Sequence, residues 1–221
     1  MSFRLSHALV ALAALTALPT TAAAAESHRS ICTAHFVGDV DATWSHDGRT
    51  MTLTKPFSFV GPNCNRWDVP AGAILDGASI PQILWSLMGG PFEGLYRDAS
   101  VVHDWYCATR IEPAADVHRM FYDGMLAAGV SKSKAGAFYW AVVHAGPDWD
   151  DLTISDERLL GKLPRHLTAG YTDRHYTAYR VARGNAQAER PITRSDVLSI
   201  EAKIRSENLD ADAIEELPLP K

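Results

Sequence analysis

The chain has 221 residues, 47% of them hydrophobic, with 21 Lys and Arg against 26 Asp and Glu for a formal net charge of −5. That is ordinary globular composition, and the absence of a basic excess argues against a dedicated nucleic-acid binder. No stretch reaches the roughly 18 unbroken apolar residues of a membrane span.

The first 25 residues read as an address. Arg4 and His7 precede an apolar run from Ala8 to Leu18, and small residues end in Ala23-Ala24-Ala25 before Glu26. A charged start, a short apolar core and an A-x-A site are the parts of a secretory signal peptide. The expectation is cleavage near Ala25 and an exported protein, periplasmic or secreted.

From Phe36 to Val69 the signals are those of strands. Val37, Val40 and Trp44 sit in a β-rich run, and Asp47-Gly48 marks a hairpin turn before Met51-Thr52-Leu53-Thr54. Phe57 to Val60 is another short strand, and Trp67-Asp68-Val69 runs into the turn Pro70-Ala71-Gly72. After Asp76 the period becomes helical. Ser79 is placed to cap a helix beginning near Pro81, with Ile83, Leu84, Leu87 and Met88 on one side. A second helix is expected from about Asp98 to Thr109. Pro113 opens a third, carrying Val117, Met120, Phe121 and Met125, and Ser131 caps a fourth.

Beyond Gly146-Pro147 the sequence turns polar and loses periodicity, until Ser195 to Asn208 reads as an amphipathic helix followed by a short acidic one. The fold class is therefore α+β: a small N-terminal antiparallel sheet, then a bundle of about four helices and a helical C-terminal extension. The divisions are a signal peptide (1–25), a core domain (26–146) and an extension (147–221). Trp149, Tyr171, Tyr176 and Tyr179, with His166 and His175, give the extension an aromatic character suited to a covering segment or to a lid at a membrane surface.

Cys32, Cys64 and Cys107 leave one disulfide and one thiol in an oxidising compartment. Cys32–Cys64 is the first choice and Cys64–Cys107 is nearly as plausible on spacing.

Chemistry concentrates in Val101-Val102-His103-Asp104-Trp105-Tyr106-Cys107, which sets two ionisable residues in an apolar helix. Burying them costs several kcal/mol unless they are paired. His103 and Tyr106 share a face. Asp116 lies about one turn into the next helix, within reach of His103 across an antiparallel pair. A carboxylate on one imidazole nitrogen would leave the other as a base. The segment Leu75-Asp76-Gly77-Ala78-Ser79-Ile80-Pro81 reads as turn chemistry, with Gly77 at positive φ and Asp76 bonding backbone N–H groups. A second reading makes it a source of oxygen ligands, Asp76 with Asp104, for Ca2+.

Val69-Pro70-Ala71-Gly72, Asp76 to Pro81, Leu84-Trp85, and His103-Asp104-Trp105-Tyr106 followed by Ala115-Asp116 and Phe121 form an ordered set. Through it, over roughly Phe36 to Gly146, the chain resembles the bacterial and phage family called domain of unknown function 1353, which implies no activity. The shorter order Asp-Gly-x-Ser-x-Pro, His-Asp-x-x-Tyr, Asp-x-x-x-x-Phe is similar to secreted bacterial phospholipases A2. That likeness implies His103 as base, Asp116 as its orienter, Tyr106 bonded to Asp116, and Asp76, Asp104 and the Gly77 carbonyl as Ca2+ ligands. The calcium would polarise the ester and hold its oxyanion.

The expected function is thus an exported hydrolase, a calcium-dependent esterase meeting phospholipid or a membrane surface. The alternative is a non-catalytic envelope or phage-associated binding or structural module. A third option, a metal phosphohydrolase built on the His-Asp pair, would call on His118 as the helical partner.

Overall fold

The computed structural model describes residues 32–77, 79–90, 92–154, 177–185 and 190–220. The proposed signal peptide, and His166, Tyr171, His175 and Tyr176, lie outside the described residues.

Six short strands come first: β1 (His35–Val37), β2 (Ala42–Trp44), β3 (Met51–Leu53), β4 (Phe57–Val60), β5 (Arg66–Val69) and β6 (Ile74–Leu75). They form two three-stranded antiparallel sheets, β1-β4-β5 and β2-β3-β6. The β2–β3 turn is the expected Asp-Gly one. The Asp47 carboxylate accepts from the Ser45 hydroxyl at 2.6 Å and from the Arg49 N–H at 3.1 Å, and Gly48 takes φ 68°. Such an Asx turn needs a residue without a Cβ penalty at positive φ. On β5, Trp67 and Val69 point inward while Arg66 and Asp68 face solvent, the period-2 pattern of a half-buried strand. Cys32 is bonded to Cys64, tying the segment before β1 to the β4–β5 turn, and Cys107 is a buried free thiol.

The helices follow in the expected order: α1 (Gln82–Met88), α2 (Arg97–Thr109), α3 (Ala114–Ala127) and α4 (Lys132–Ala145). Helix α2 is the centre of the molecule. Eight of its residues are buried, Ala99 to Asp104 with Tyr106 and Cys107. One apolar cluster joins Val101, Val102, Tyr106 and Cys107 to the strands through Phe57, Phe59 and Trp67. A second joins Ala99 to Phe121, Phe138 and Trp140 of α3 and α4. Removing this much apolar surface from water is the main stabilising term.

After residue 146 one feature departs from the sequence reading, while the C-terminal helices follow it. Where the polar composition suggested irregular chain, β7 (Pro147–Ile154) and β8 (Thr177–Asn185) pair antiparallel. Backbone pairing forms the ribbon, so little hydrophobic alternation is written into it. Helices α5 (Arg194–Glu207) and α6 (Ala211–Glu215) then lie against α4. Val197, Ile200, Ile204 and Ile214 enter the same apolar cluster as Trp140. A Cβ on Gly136 of α4 would meet Ile214 Cδ1 at 2.8 Å and Ile204 Cδ1 at 3.0 Å, so glycine is what lets the helices approach. Tyr139 donates to Glu215 at 2.7 Å and Trp140 Nε1 to the Leu217 carbonyl at 2.8 Å. No helix among the described residues is long and apolar enough to cross a membrane.

Candidate functional site

The polar residues of α2 lie between the two apolar clusters, in a seam bounded by α2, α3, the 76–79 loop and the start of β7. His103 is 0% exposed, and Ser79, Asp104, Cys107 and His118 are buried beside it. Four residues apart on one helix, His103 and Cys107 share a face, and the thiol lies 3.6 Å from His103 Nε2. Helix α3 brings His118 to the same place, its Nδ1 2.9 Å from His103 Nε2. Phe121, one turn on, covers the His103 ring at 4.7 Å between centroids.

The bonding fixes the proton positions. His118 Nε2 lies 3.1 Å from the Pro147 carbonyl, which can only accept, so Nε2 carries the hydrogen. A neutral His118 then accepts at Nδ1, which makes His103 Nε2 the donor. His103 Nδ1 accepts in turn from the Ser79 hydroxyl at 3.2 Å. Both rings are neutral, because burial disfavours the imidazolium. It holds His103 well below its ordinary value and brings His118 down to about 4. The same burial pushes the Cys107 thiol well up, helped by the negative charge of Asp104.

Asp104 has a different task. Its carboxylate accepts from the backbone N–H groups of Asp76 (3.0 Å), Gly77 (3.1 Å) and Ser79 (3.3 Å). Burial raises its pKa, while the hydrogen bonds from the Gly77 and Asp76 backbone act the other way. The loop is held to α2 by the Asp104 carboxylate. Gly77 does take positive φ, 69°. Its carbonyl accepts from the Ile80 N–H. Ser79 does not cap α1: Pro81 is the N-cap, with no side-chain bond, and the Ser79 hydroxyl is turned to His103.

Two other expected site residues sit apart from the seam. Asp116 is exposed and lines a cleft of about 400 Å3 with Arg66, Glu112, Arg119 and Asp123. It faces the β4–β5 hairpin, and His118, two residues on, takes the place beside His103. Two positions along a helix is about 200° of rotation, so the two side chains point to opposite sides. Tyr106 bonds the backbone of Asp68, accepting from its N–H at 3.0 Å, rather than Asp116. It packs edge-on to Trp67 at 4.9 Å.

Beyond the 76–79 loop lies a groove of about 580 Å3. Trp44, Trp85 and Phe92 wall it, and Arg49, Thr50, Asp76 and Glu93 line it. Trp44 is 56% exposed, its ring 6.1 Å from Phe92 in an edge arrangement. The Trp85 indole N–H is buried in the wall with no acceptor. The sequence reading took Trp44 only as a strand residue and Trp85 only as part of a family signature. Their meeting depends on β2 lying across from α1, which no local spacing encodes.

The molecule is thus an α+β protein with a closed imidazole–thiol seam behind a short loop and an open aromatic groove in front of it. Residues 51–142 match the family described as "Protein of unknown function (DUF1353)". Uncharacterized protein y4jT of Sinorhizobium fredii (strain NBRC 101917 / NGR234) is 57% identical over 97 residues, 44% of this chain and 29% of that protein. Uncharacterized protein y4iH of the same strain is 34% identical over 154 residues, 69% of this chain and 63% of that protein. The chain therefore spans less than two thirds of the length of either relative. No solved structure matches significantly.

Proposed function

We propose that the protein is an exported, non-catalytic binding module of the cell envelope whose ligand is a saccharide held in the Trp44–Trp85–Phe92 groove. The observation that carries this reading is the contrast between seam and groove. Every nitrogen of His103 and His118 is engaged and His103 is sealed from solvent, so no basic nitrogen is offered to a water or an ester. The groove, by contrast, is open and of a size that suits a small ligand. Flat aromatic walls cover the apolar face of a sugar ring, and the carboxylates of Asp76 and Glu93 accept from its hydroxyls. Export rests on the first 25 residues, and the envelope is where such a protein would meet glycans.

The competing reading is a calcium-dependent esterase acting on phospholipid, with His103 as base and Asp76, Gly77 and Asp104 around the ion. It would require the seam to open and Asp104 to give up its backbone donors. One set of measurements separates the two. Soluble cell-wall glycan fragments titrated into the protein should change tryptophan fluorescence saturably, and Trp44→Ala should weaken binding at least tenfold. Fatty-acid release from phospholipid vesicles, measured with and without chelator, should stay at background. Absence of saturable glycan binding would overturn the proposal, as would chelator-sensitive release lost in His103→Ala.

A further inference from the structure

The seam carries an inference independent of the groove. We propose that His103 Nε2, Cys107 Sγ and His118 Nδ1 bind one zinc ion at the contact of α2 with α3. Among the described residues these three are the group of His, Cys, Asp or Glu side chains placed to hold an ion, their donor atoms all lying within 4.8 Å of one another. A tetrahedral zinc with bonds of roughly 2.0–2.1 Å to nitrogen and 2.3 Å to sulfur sets N···N near 3.3 Å and N···S near 3.6 Å. The thiol is already 3.6 Å from His103 Nε2, and the two imidazole nitrogens, at 2.9 Å, need to part by a few tenths of an ångström.

The outer nitrogens strengthen the assignment. Imidazole ligands of metals donate their second N–H to a carbonyl or another oxygen, which fixes ring orientation. Here His118 Nε2 is held by the Pro147 carbonyl and His103 Nδ1 faces the Ser79 hydroxyl. Both rings therefore turn their second nitrogen toward each other, while the thiol, 3.6 Å from His103 Nε2 and 3.8 Å from its Nδ1, must swing toward Nε2 to join them. Two imidazoles and a thiol, all buried, are an expensive way to fill space between apolar clusters. A thiolate with imidazoles suits zinc, whereas calcium takes hard oxygen ligands.

Binding conserves protons in a defined way. The zinc–sulfur bond forms as the Cys107 S–H proton leaves to solvent. The His103 proton is lost from Nε2 and regained at Nδ1, where it is donated to Ser79 Oγ. The Ser79 hydroxyl proton is then free to turn to Asp104, where a hydrogen bond from Ser79 lowers the carboxyl pKa. Two positive charges on the ion meet one on the thiolate and one on the nearby Asp104 carboxylate, so the seam is neutral overall. A water takes the fourth position.

Cobalt(II) is the probe, since it occupies zinc sites and absorbs visibly. Titration of the zinc-stripped full chain, with the Cys32–Cys64 disulfide intact, should saturate at one ion, with a thiolate-to-cobalt charge-transfer band, tetrahedral visible bands and one proton released per ion. Zinc should displace the cobalt, and calcium should not. Cys107→Ser should remove the charge-transfer band, and His118→Ala should weaken binding at least tenfold. If either variant fails to fold, the wild-type titration decides alone, because the charge-transfer band reports Cys107, the one thiol outside the disulfide. No saturable spectrum, no proton release, or a charge-transfer band that survives in a folded Cys107→Ser protein would each overturn the proposal.

Discussion

Asp104 shows how one carboxylate positions a whole surface. It sits on the buried face of α2, and the N–H groups of Asp76, Gly77 and Ser79 converge on its two oxygens. The loop they belong to gives Asp76 to the groove on one side and Ser79 to the seam on the other. Removing the acceptor leaves buried donors without partners, and each such orphan costs about 1–3 kcal/mol. Asp104→Ala should therefore lower the stability to urea by about 3–5 kcal/mol, while Asp104→Asn, which keeps one acceptor oxygen, should lose roughly half of that. Denaturation midpoints at neutral pH check the pair. Equal losses would mean that packing, and not hydrogen bonding, is the role of the side chain. The His-Asp pair stood out in the sequence because charged residues inside an apolar helix demand partners. Which partner each found was not legible, since His118, Asp116 and the loop amides all lay within reach on a one-dimensional count.

Helix ends and strand pairs differ in how much of their cause is local. Helix α5 begins at a capping box: Asp196 N–H donates to the Thr193 hydroxyl and Thr193 N–H donates to the Asp196 carboxylate. Arg190 adds two bonds to the same carboxylate, at 2.7 and 2.9 Å, and one to the Pro220 carbonyl, so the cap also anchors the chain end. Hydrogen bonding from Arg190 holds the Asp196 carboxyl well below the usual carboxylate range. Replacing the cap residue's partner costs about 0.5–2 kcal/mol for the cap alone, and Asp196→Ala should cost about 1–3 kcal/mol once the arginine bonds are included. The loss should shrink in acid, because protonating the wild-type carboxylate removes the same interactions. A thermal-melt series across pH measures both effects. The α helices were legible to within a few residues, their apolar spacing being a property of each segment. The β7–β8 ribbon was not, because its partners are more than twenty residues apart and its backbone bonds leave no periodic mark.

The whole chain is tied at its start and closed at its end. The Cys32–Cys64 bond encloses β1 to β4, and 32 residues separate its ends. The loop-entropy model puts the stabilisation from closing such a loop at about 3–4 kcal/mol. Reduction, or the double variant Cys32→Ser with Cys64→Ser, should lower the melting temperature accordingly. Cys107 should stay unreactive toward alkylating reagents until the protein unfolds, since it is buried in the folded chain. Thiol labelling before and after thermal unfolding checks this. At the other end α5 and α6 complete the cluster begun by α4, so residues 190–220 share one apolar core with α4 rather than making one of their own.

Composition, periodicity and turn residues were enough to establish an α+β protein, the order of its first strands and helices, the Asp-Gly hairpin and the stretch of α2 where chemistry had to lie. These are short-range consequences of steric and hydrophobic rules, and a linear string contains them. Three-dimensional packing chose His118 over Asp116 as the partner of His103, turned Ser79 from helix cap to hydrogen-bond donor, and set Trp44 opposite Trp85. Such choices depend on how elements rotate against one another when apolar faces close. A rotation of half a helical turn exchanges one candidate side chain for another without altering a letter of the pattern.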